Sequence, residues 1–259
     1  MAISIPPDLL ERIWFYTNFD CGLRCSYCVA ALEPGHVRSR LELPVFRRLV
    51  DQAVTLGFRQ AALTGGEPFL HPDIVAMIDY ATARIDTVVL TSAMPLTART
   101  LEKLSRVDRS RLTVQVSLDS ADPDVNDRLR GRGSWQRARH GLERLVGAGY
   151  TVAVRATLDG QGEEALADLT RLVGTLGVPA ERVYGAPVAK VGRATHGLAL
   201  SWADVSPEPA VVGDGLYWHP LLIDPSLVVT PQSEPLESAL HALADLVLQV
   251  RPVRQRDVR

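Results

Sequence analysis

Short β-rich runs alternate with amphipathic helical stretches along most of this chain. Three of the helical stretches end with a glycine followed by an apolar residue: Leu56-Gly57-Phe58, Ala148-Gly149-Tyr150 and Leu176-Gly177-Val178. Glycine readily adopts the left-handed conformation that ends a helix, and the apolar residue after it turns back onto the core. Because repeated strand–helix units build parallel sheets with right-handed crossovers, the pattern predicts the α/β class.

The periodicity predicts six strand–helix units. Strands are expected over residues 13–19, 60–64, 87–91, 112–118, 151–158 and 182–188. Helices are expected over residues 43–56, from Pro72 through Ile78, around Leu101 and Leu104, and over 135–148 and 163–176. The stretch from Asp119 to Ser134 is polar and contains glycine, and is expected to be a connection.

The length of this repeated region favours a partial barrel. A full eight-unit barrel uses about 250 residues, so six units need about 180, which fits the stretch from residue 13 to about 188. We therefore predict a partial (β/α)6 TIM-type barrel, with a doubly wound open sheet as the alternative. Either fold places the active site at the carboxyl ends of the strands.

The remainder of the chain has a different character. We assign residues 10–194 to the barrel domain and residues 195–259 to a carboxyl-terminal extension that closes it. A Pro- and Gly-rich stretch, 201–215, precedes a predicted hairpin over 216–230 and an amphipathic helix over 236–250. The basic tail from residue 251 is expected to be disordered.

Composition excludes several classes of protein. Among 259 residues the net charge is −2, whereas nucleic-acid-binding proteins usually carry a strongly basic face. No apolar run approaches the ~18 residues of a membrane span, and no basic stretch followed by an apolar segment opens the chain. We therefore expect a cytoplasmic protein that binds neither nucleic acid nor membrane.

The chain's three cysteines, Cys21, Cys25 and Cys28, all lie within eight residues. An odd count without a secretory signal argues against disulfides and points to a metal or cluster site in a reducing compartment. Three thiolates at C-x-x-x-C-x-x-C spacing can hold three irons of a 4Fe–4S cluster and leave the fourth iron open. The alternative is a structural zinc site completed by His36, although a domain of this size does not need a metal to stabilise it.

A second motif, Thr64-Gly65-Gly66-Glu67-Pro68, directly follows the second predicted strand. Paired glycines expose backbone polar groups to a ligand, and the carboxylate of Glu67 suits an ammonium group. By itself the motif is equally typical of a tight strand-to-helix turn.

Together, in this order and at this separation, the two motifs resemble those of the radical S-adenosylmethionine (radical SAM) superfamily. The resemblance spans residues 13–194 and is greatest to the branch with a carboxyl-terminal SPASM or twitch region. The shared segments are YTNFDCGLRCSYC, LTGGEP, VQVSLDS, DVNDRLRGRGSW and KVGRA.

The resemblance implies roles for ten residues. Cys21, Cys25 and Cys28 would ligate one 4Fe–4S cluster, whose open iron is chelated by the amino and carboxylate groups of SAM. The other seven would bind SAM itself: Gly65, Gly66 and Glu67 at the methionine amino group, Tyr27 beside adenine, Ser117 and Asp119 at ribose or carboxylate, and Arg130 at carboxylate. For Ser117 and Asp119 the alternative is turn chemistry at a strand end, and for Arg130 it is solvation at the surface.

The resemblance also implies the chemistry. A reduced cluster cleaves SAM to a 5′-deoxyadenosyl radical, which abstracts hydrogen from the substrate. An external one-electron donor of the flavodoxin or ferredoxin type is therefore expected as a partner.

The sequence departs from the family pattern at three places. Gly22 and Thr91-Ser92-Ala93 stand where relatives often have Asn and Asn-Gly, and the segment 216–230 lacks the cysteines that bind auxiliary clusters in SPASM and twitch regions. We therefore expect no auxiliary cluster in this chain. Redox-neutral rearrangement or epimerisation, SAM-reusing chemistry, or oxidation coupled to the primary cluster remain open.

The substrate is the least determined feature. Tyr217, Trp218, His219 and Asp224 are candidates for substrate contact, with Tyr217 and Trp218 alternatively in the core and His219 alternatively a structural hydrogen-bond partner. Because the first strand begins by Ile13, we expect no amino-terminal peptide-recognition domain and favour a small metabolite or natural-product intermediate. The alternatives are a maturase that modifies a ribosomally made peptide and a non-catalytic iron–sulfur or zinc scaffold.

Overall fold

The computed structural model describes residues 5–30 and 40–250. Within these residues one sheet contains nine strands: β1 (Arg12–Asn18), β2 (Gln60–Gly65), β3 (Asp86–Thr91), β4 (Leu112–Ser117), β5 (Thr151–Leu158), β6 (Val183–Pro187), β7 (Ala210–Val212), β8 (Gly215–Tyr217) and β9 (Val228–Thr230). The helices of the described residues are α1 (Leu43–Leu56), α2 (Ile74–Thr82), α3 (Ala98–Leu104), α4 (Pro123–Arg130), α5 (Ser134–Gly147), α6 (Glu163–Thr175) and α7 (Leu236–Val250).

The strand order confirms the partial barrel. β1 to β6 are parallel and lie side by side in sequence order, so the sheet runs β6-β5-β4-β3-β2-β1-β7-β8-β9. A doubly wound sheet reverses its strand order at a switch point, and β1 to β6 show no such reversal.

For most helices and strands, the bounds predicted from the sequence lie within one or two residues of those observed. The predicted bounds of α1, β5 and α7 match those observed. Gly57, Gly149 and Gly177 have φ values of 91°, 76° and 95°, the left-handed conformation expected at these three helix ends. The helix predicted from Pro72 begins two residues later, at Ile74.

The prediction of a connection over residues 119–134 is wrong, because this stretch contains α4. The Asp122 carboxylate accepts hydrogen bonds from the backbone N–H groups of Asp124 and Val125, and Pro123 occupies the first helical turn. An Asp cap followed by Pro is a strong helix-start signal. The polar composition of this short helix obscured it.

The carboxyl-terminal extension shares the sheet of the barrel. β8 and β9 pair antiparallel, as the predicted hairpin over 216–230 requires, but they follow a strand that the sequence did not reveal. That strand, β7, pairs parallel with β1 and antiparallel with β8. His36 and the tail from residue 251, for which we predicted a zinc ligand and disorder, lie outside the described residues.

Alternate residues of the barrel strands face opposite sides of the sheet. On β1, Ile13 and Phe15 are fully buried among the helices, and Phe15 packs edge-on against Phe46 of α1 with ring centroids 5.1 Å apart. The alternating residues Arg12, Trp14 and Tyr16 face the barrel interior and line its cavity. No helix among the described residues is long and apolar enough to cross a membrane.

Candidate active site

The barrel interior holds a cavity of about 340 Å³ at the carboxyl ends of its strands. Nine of the twelve predicted site residues line it: Cys21, Cys25, Tyr27, Cys28, Gly65, Gly66, Glu67, Ser117 and Arg130. A tenth, His219, enters from the extension. Asp119 and Tyr217 do not line the cavity.

The cysteine loop follows β1 and is held by backbone contacts. Ser26 N–H donates to the carbonyl of Leu129 at 3.0 Å, and the backbone and guanidinium of Arg193 donate to the carbonyls of Cys28 and Cys25 at 3.0 and 3.3 Å. At Gly192 any Cβ would overlap the carbonyl oxygen of Cys28. This close approach explains why the segment KVGRA carries a glycine.

The three cysteines are free thiols that differ in exposure: Cys21 is exposed, Cys28 is intermediate and Cys25 is buried. Burial raises the pKa of Cys21 and raises that of Cys25 to about 11. Because metal ligands must be thiolates, metal binding here has to displace protons from the thiols.

The Gly65-Gly66 turn brings β2 against the end of β1. Gly65 has φ 136°, and Gly66 N–H donates to the carbonyl of Asn18 at 2.8 Å. A Cβ on Gly65 would overlap the backbone of Asn18, and one on Gly66 the backbone of Asp20. The close approach of the two strand ends therefore requires glycine at both positions.

Glu67 is 2% exposed, and its carboxylate is surrounded by donors. Thr91 Oγ1 donates to Oε1 at 2.8 Å, the backbone N–H and Oγ of Ser92 donate to Oε2 at 2.8 and 2.5 Å, and Phe69 N–H donates to Oε1 at 3.2 Å. Thr91 and Ser92 belong to the segment that departs from the family pattern, and Ala93 after them has φ 60°. Sequence reasoning missed this pairing because the two strand ends are distant along the chain.

Tyr27, Asp119 and Arg130 form one buried network. The Tyr27 hydroxyl donates to Asp119 Oδ2 and accepts from Arg130 Nη1 at 2.7 Å, while Arg130 and Asp119 form an ion pair at 3.5 Å. Burial raises the pKa of Tyr27 well above its ordinary value. Asp119 is 1% exposed and does not line the cavity, so it acts on a bound ligand through Tyr27 and Arg130.

The extension contributes one of the four candidates for substrate contact. His219 lines the cavity, and its Nδ1 accepts the N–H of Leu221 at 3.1 Å. Tyr217 packs in a small apolar cluster beside β1, and Trp218 is 1% exposed in the main core. Asp224 lines a separate cavity next to Val29.

Five further polar or charged residues that sequence reasoning missed line the same cavity: Arg12, Gln115, Arg155, Thr157 and Glu208. For two of these residues the sequence contains a signal that could have identified them. Gln115 and Arg155 interrupt the apolar strands LTVQVS and TVAVRATL, at positions where a buried strand normally carries an apolar residue.

Residues 16–173 match the family model for the Radical SAM superfamily. The chain belongs to this superfamily. The matched region contains the cysteine loop, the Gly65-Gly66-Glu67 turn and the Tyr27–Asp119–Arg130 network. The cofactors of the superfamily, one 4Fe–4S cluster and SAM, are therefore those of this chain.

The chain is similar in sequence to curated relatives and similar in fold to solved structures. The mycofactocin maturase MftC of Mycobacterium tuberculosis is 30% identical over 137 residues, which cover 51% of this chain and 34% of MftC. The chain thus spans about a third of that relative. Streptococcus suis SuiB bound to its precursor peptide SuiA has a TM-score of 0.64 at 21% identity, covering 76% of this chain and 44% of SuiB. BtrN in complex with AdoMet and 2-DOIA has a TM-score of 0.58 at 14% identity, covering 93% of this chain and 87% of BtrN.

The radical SAM cofactors fit the residues of the cavity. Three free cysteines line one cavity, and this donor set leaves one iron of a four-iron cluster without a protein ligand. Beside the cysteines, Gly65, Gly66 and Glu67 line the same cavity, where SAM is expected.

Proposed function

We propose that this chain is a radical SAM enzyme acting on a small metabolite or natural-product intermediate. The observation that carries the proposal is the convergence of three cysteines, the Gly65-Gly66-Glu67 turn and a polar barrel interior on one cavity. When bound, the cluster and SAM supply reductive cleavage of SAM and a 5′-deoxyadenosyl radical that abstracts hydrogen from the substrate.

The chain's own residues would bind and orient the cluster and SAM and exclude water from them. Cys21, Cys25 and Cys28 ligate the cluster, and Gly65 and Gly66 accommodate the methionine end of SAM. Glu67 holds this end by its charge while Thr91 and Ser92 fix its carboxylate in place.

The other side chains complete the SAM site and the substrate site. Tyr27 and Arg130 are locked to Asp119, which keeps them in place beside adenine and carboxylate. Ser117 lies at the end of β4 for contact with ribose, and His219 faces the substrate from the extension.

The substrate class rests on the polarity of the cavity. Its wall includes polar and charged side chains from β1, β4 and β5, and these suit a small polar molecule bound beside SAM. The similarity to MftC favours a second candidate, a maturase that modifies a ribosomally made peptide. A precursor-peptide gene beside the gene for this chain would favour the maturase.

The enzyme would also need an external electron donor and a reducing compartment. Electron transfer to the cluster requires a one-electron donor such as a flavodoxin or ferredoxin, and a reduced cluster with free thiols suits the cytoplasm.

Anaerobic reconstitution tests the enzymatic proposal. The protein is loaded with iron and sulfide, reduced with dithionite and incubated with SAM, and 5′-deoxyadenosine and methionine are measured by mass spectrometry. We expect both products from the wild type and neither from Cys25→Ser. Wild-type protein that binds iron but releases no 5′-deoxyadenosine would favour the non-catalytic scaffold, and zinc in place of iron in anaerobically purified protein would favour the zinc site.

A further inference from the structure

Arg155 on β5 is an exposed cation whose side chain borders the barrel cavity. In register it lies opposite Ser117 of β4 and Tyr184 of β6, and it lines the same cavity as the cysteines. Within residues 5–30 and 40–250 no carboxylate lies within ion-pair distance of its guanidinium, and its side chain has no hydrogen bond.

The other charged groups of the cavity already have hydrogen-bond or ion-pair partners within the protein. Arg130 pairs with Asp119, and Glu67 accepts four hydrogen bonds. Glu208 accepts from the indole N–H of Trp14 at 2.6 Å and lies 3.7 Å from Arg12. Glu208 also acts electrostatically on Arg155, from beyond ion-pair distance. One carboxylate therefore faces two guanidinium groups, and the three side chains together carry a net charge of +1.

His219 adds a neutral donor to this part of the cavity. Its Nδ1 accepts the N–H of Leu221, which assigns the ring proton to Nε2. Burial lowers the pKa of His219 to about 4, so the ring is uncharged at neutral pH. The Gln115 side chain lines the same cavity and offers an amide N–H₂.

An arginine without a close ion pair, accompanied by neutral donors, is an arrangement that recognises oxyanions. Guanidinium binds carboxylate and phosphate through two parallel hydrogen bonds, and neutral donors add bonds without adding charge. We propose that Arg155 binds a carboxylate or phosphate group of the substrate, with His219 and Gln115 as its neutral partners. The substrate of this enzyme is therefore acidic.

The strand register places Arg155 beside the expected SAM site. Ser117, the residue expected at the SAM ribose, is the direct neighbour of Arg155 across the β4–β5 pair. An oxyanion held at Arg155 would fix one end of the substrate and leave its remainder in the cavity next to SAM. This inference rests on the proposed function, since it requires that the substrate occupy this cavity.

Binding of three phenyl compounds tests the proposal. Benzoate, phenyl phosphate and benzamide share a ring and differ in the group that Arg155 would meet. Their binding to the reconstituted protein with SAM is measured anaerobically by calorimetry, for the wild type, Arg155→Gln, Arg155→Lys and the control Arg171→Gln. Arg171 lies exposed on α6, outside the cavity.

We expect wild-type protein and Arg171→Gln to bind one of the anions at least tenfold more tightly than benzamide, and the tighter anion identifies the oxyanion class. Arg155→Gln should lose at least tenfold in anion affinity with unchanged SAM affinity, and Arg155→Lys should be intermediate because it keeps the charge but loses the paired hydrogen bonds. Equal binding of all three compounds by the wild type, or an unchanged anion affinity in Arg155→Gln, would overturn the proposal. So would a matching loss of SAM affinity, which would place Arg155 in the SAM site.

Release of 5′-deoxyadenosine by the same preparations separates this inference from the proposed function. Wild-type protein that cleaves SAM but fails the anion test refutes only the anchor. Wild-type protein that does not cleave SAM refutes the enzyme and the anchor with it.

Discussion

The carboxylate of Glu67 illustrates how this site stabilises a buried charge. A charged group removed from water is costly unless hydrogen bonds replace its hydration. Glu67 has four such bonds, from Phe69, Thr91 and Ser92. The same side chain thus ties the ends of β2 and β3 together and carries negative charge to the cavity.

Glu67→Gln should destabilise the chain and impair SAM cleavage. The amide N–H₂ would face donors, and the charge-assisted bonds would be lost, at a cost of about 2–3 kcal/mol in the free energy of unfolding. Urea unfolding measures this cost, with the exposed Glu102→Gln on α3 as the control, which should change stability by less than ~0.5 kcal/mol. A Glu67→Gln variant as stable as Glu102→Gln would show that the bonds contribute nothing.

His219 should make stability depend on pH. Burial lowers its pKa to about 4, whereas an unfolded histidine titrates near about 6.5. Between these values the unfolded chain binds the extra proton, so the free energy of unfolding falls as pH drops from about 6.5 towards 4. The loss should be about 1–3 kcal/mol.

Unfolding by urea at several pH values between 4 and 7 measures this loss. His219→Gln should reduce the dependence, leaving the smaller part due to His71, whose pKa burial also lowers, while the exposed His140→Gln on α5 should keep all of it. Identical slopes for the two variants would contradict the burial of a neutral imidazole at residue 219.

At the scale of elements, α4 is a polar helix that delivers Arg130 to the cavity. Its start is capped by Asp122, and Asp127 near its end accepts hydrogen bonds from Ser134 and Trp135, which begin α5. Leu129 of α4 also holds the cysteine loop through its carbonyl. The short helix therefore connects the SAM site, the cysteine loop and α5.

Asp122→Ala should weaken both stability and SAM binding. Loss of the cap leaves backbone donors of the first turn unpaired, at a cost of about 1 kcal/mol. Because α4 positions Arg130, SAM affinity should fall by about two- to tenfold. Calorimetry with SAM and urea unfolding measure the two effects, with Asp245→Ala, exposed on α7, as the control. A variant with reduced stability but unchanged SAM affinity would show that the helix cap does not influence the SAM site.

At the scale of the molecule, the barrel and the extension share one core. The buried face of α7, which includes Leu236, Leu240 and Leu243, belongs to the same apolar cluster as the barrel helices. The start of α7 is tied to α1, where Leu236 N–H donates to Gln52 at 2.7 Å and Arg48 pairs with Glu234 at 2.8 Å. The extension is therefore expected to unfold together with the barrel.

Leu240→Ala should destabilise the whole molecule. Leu240 is fully buried, so the lost methyl groups and the cavity left behind should cost about 2–5 kcal/mol. Leu248, on the same helix, is 55% exposed, and Leu248→Ala should cost less than ~0.5 kcal/mol. Urea unfolding followed by circular dichroism and by tryptophan fluorescence should give one coincident transition. Two separate transitions would show that the extension folds by itself.

The amino-acid sequence determined the features that depend on near neighbours. Helical periodicity and the glycines at 57, 149 and 177 indicated the α/β class, and three cysteines within eight residues indicated the cluster site. These signals are local, because helix ends and metal-ligand spacing depend on a few consecutive residues. The α4 helix was also marked locally, by Asp122 and Pro123, but its polar sequence hid the signal.

Only the tertiary structure decided which distant residues meet. Thr91 and Ser92 reach Glu67 because β3 lies beside β2, and Glu208 reaches Trp14, 194 residues away, because β7 pairs with β1. That no carboxylate of the described residues lies within ion-pair distance of Arg155 is likewise a property of the assembled barrel, since it depends on where the nearby carboxylates are held. Strand pairing and register set these contacts, and neither can be read from the residues on one strand.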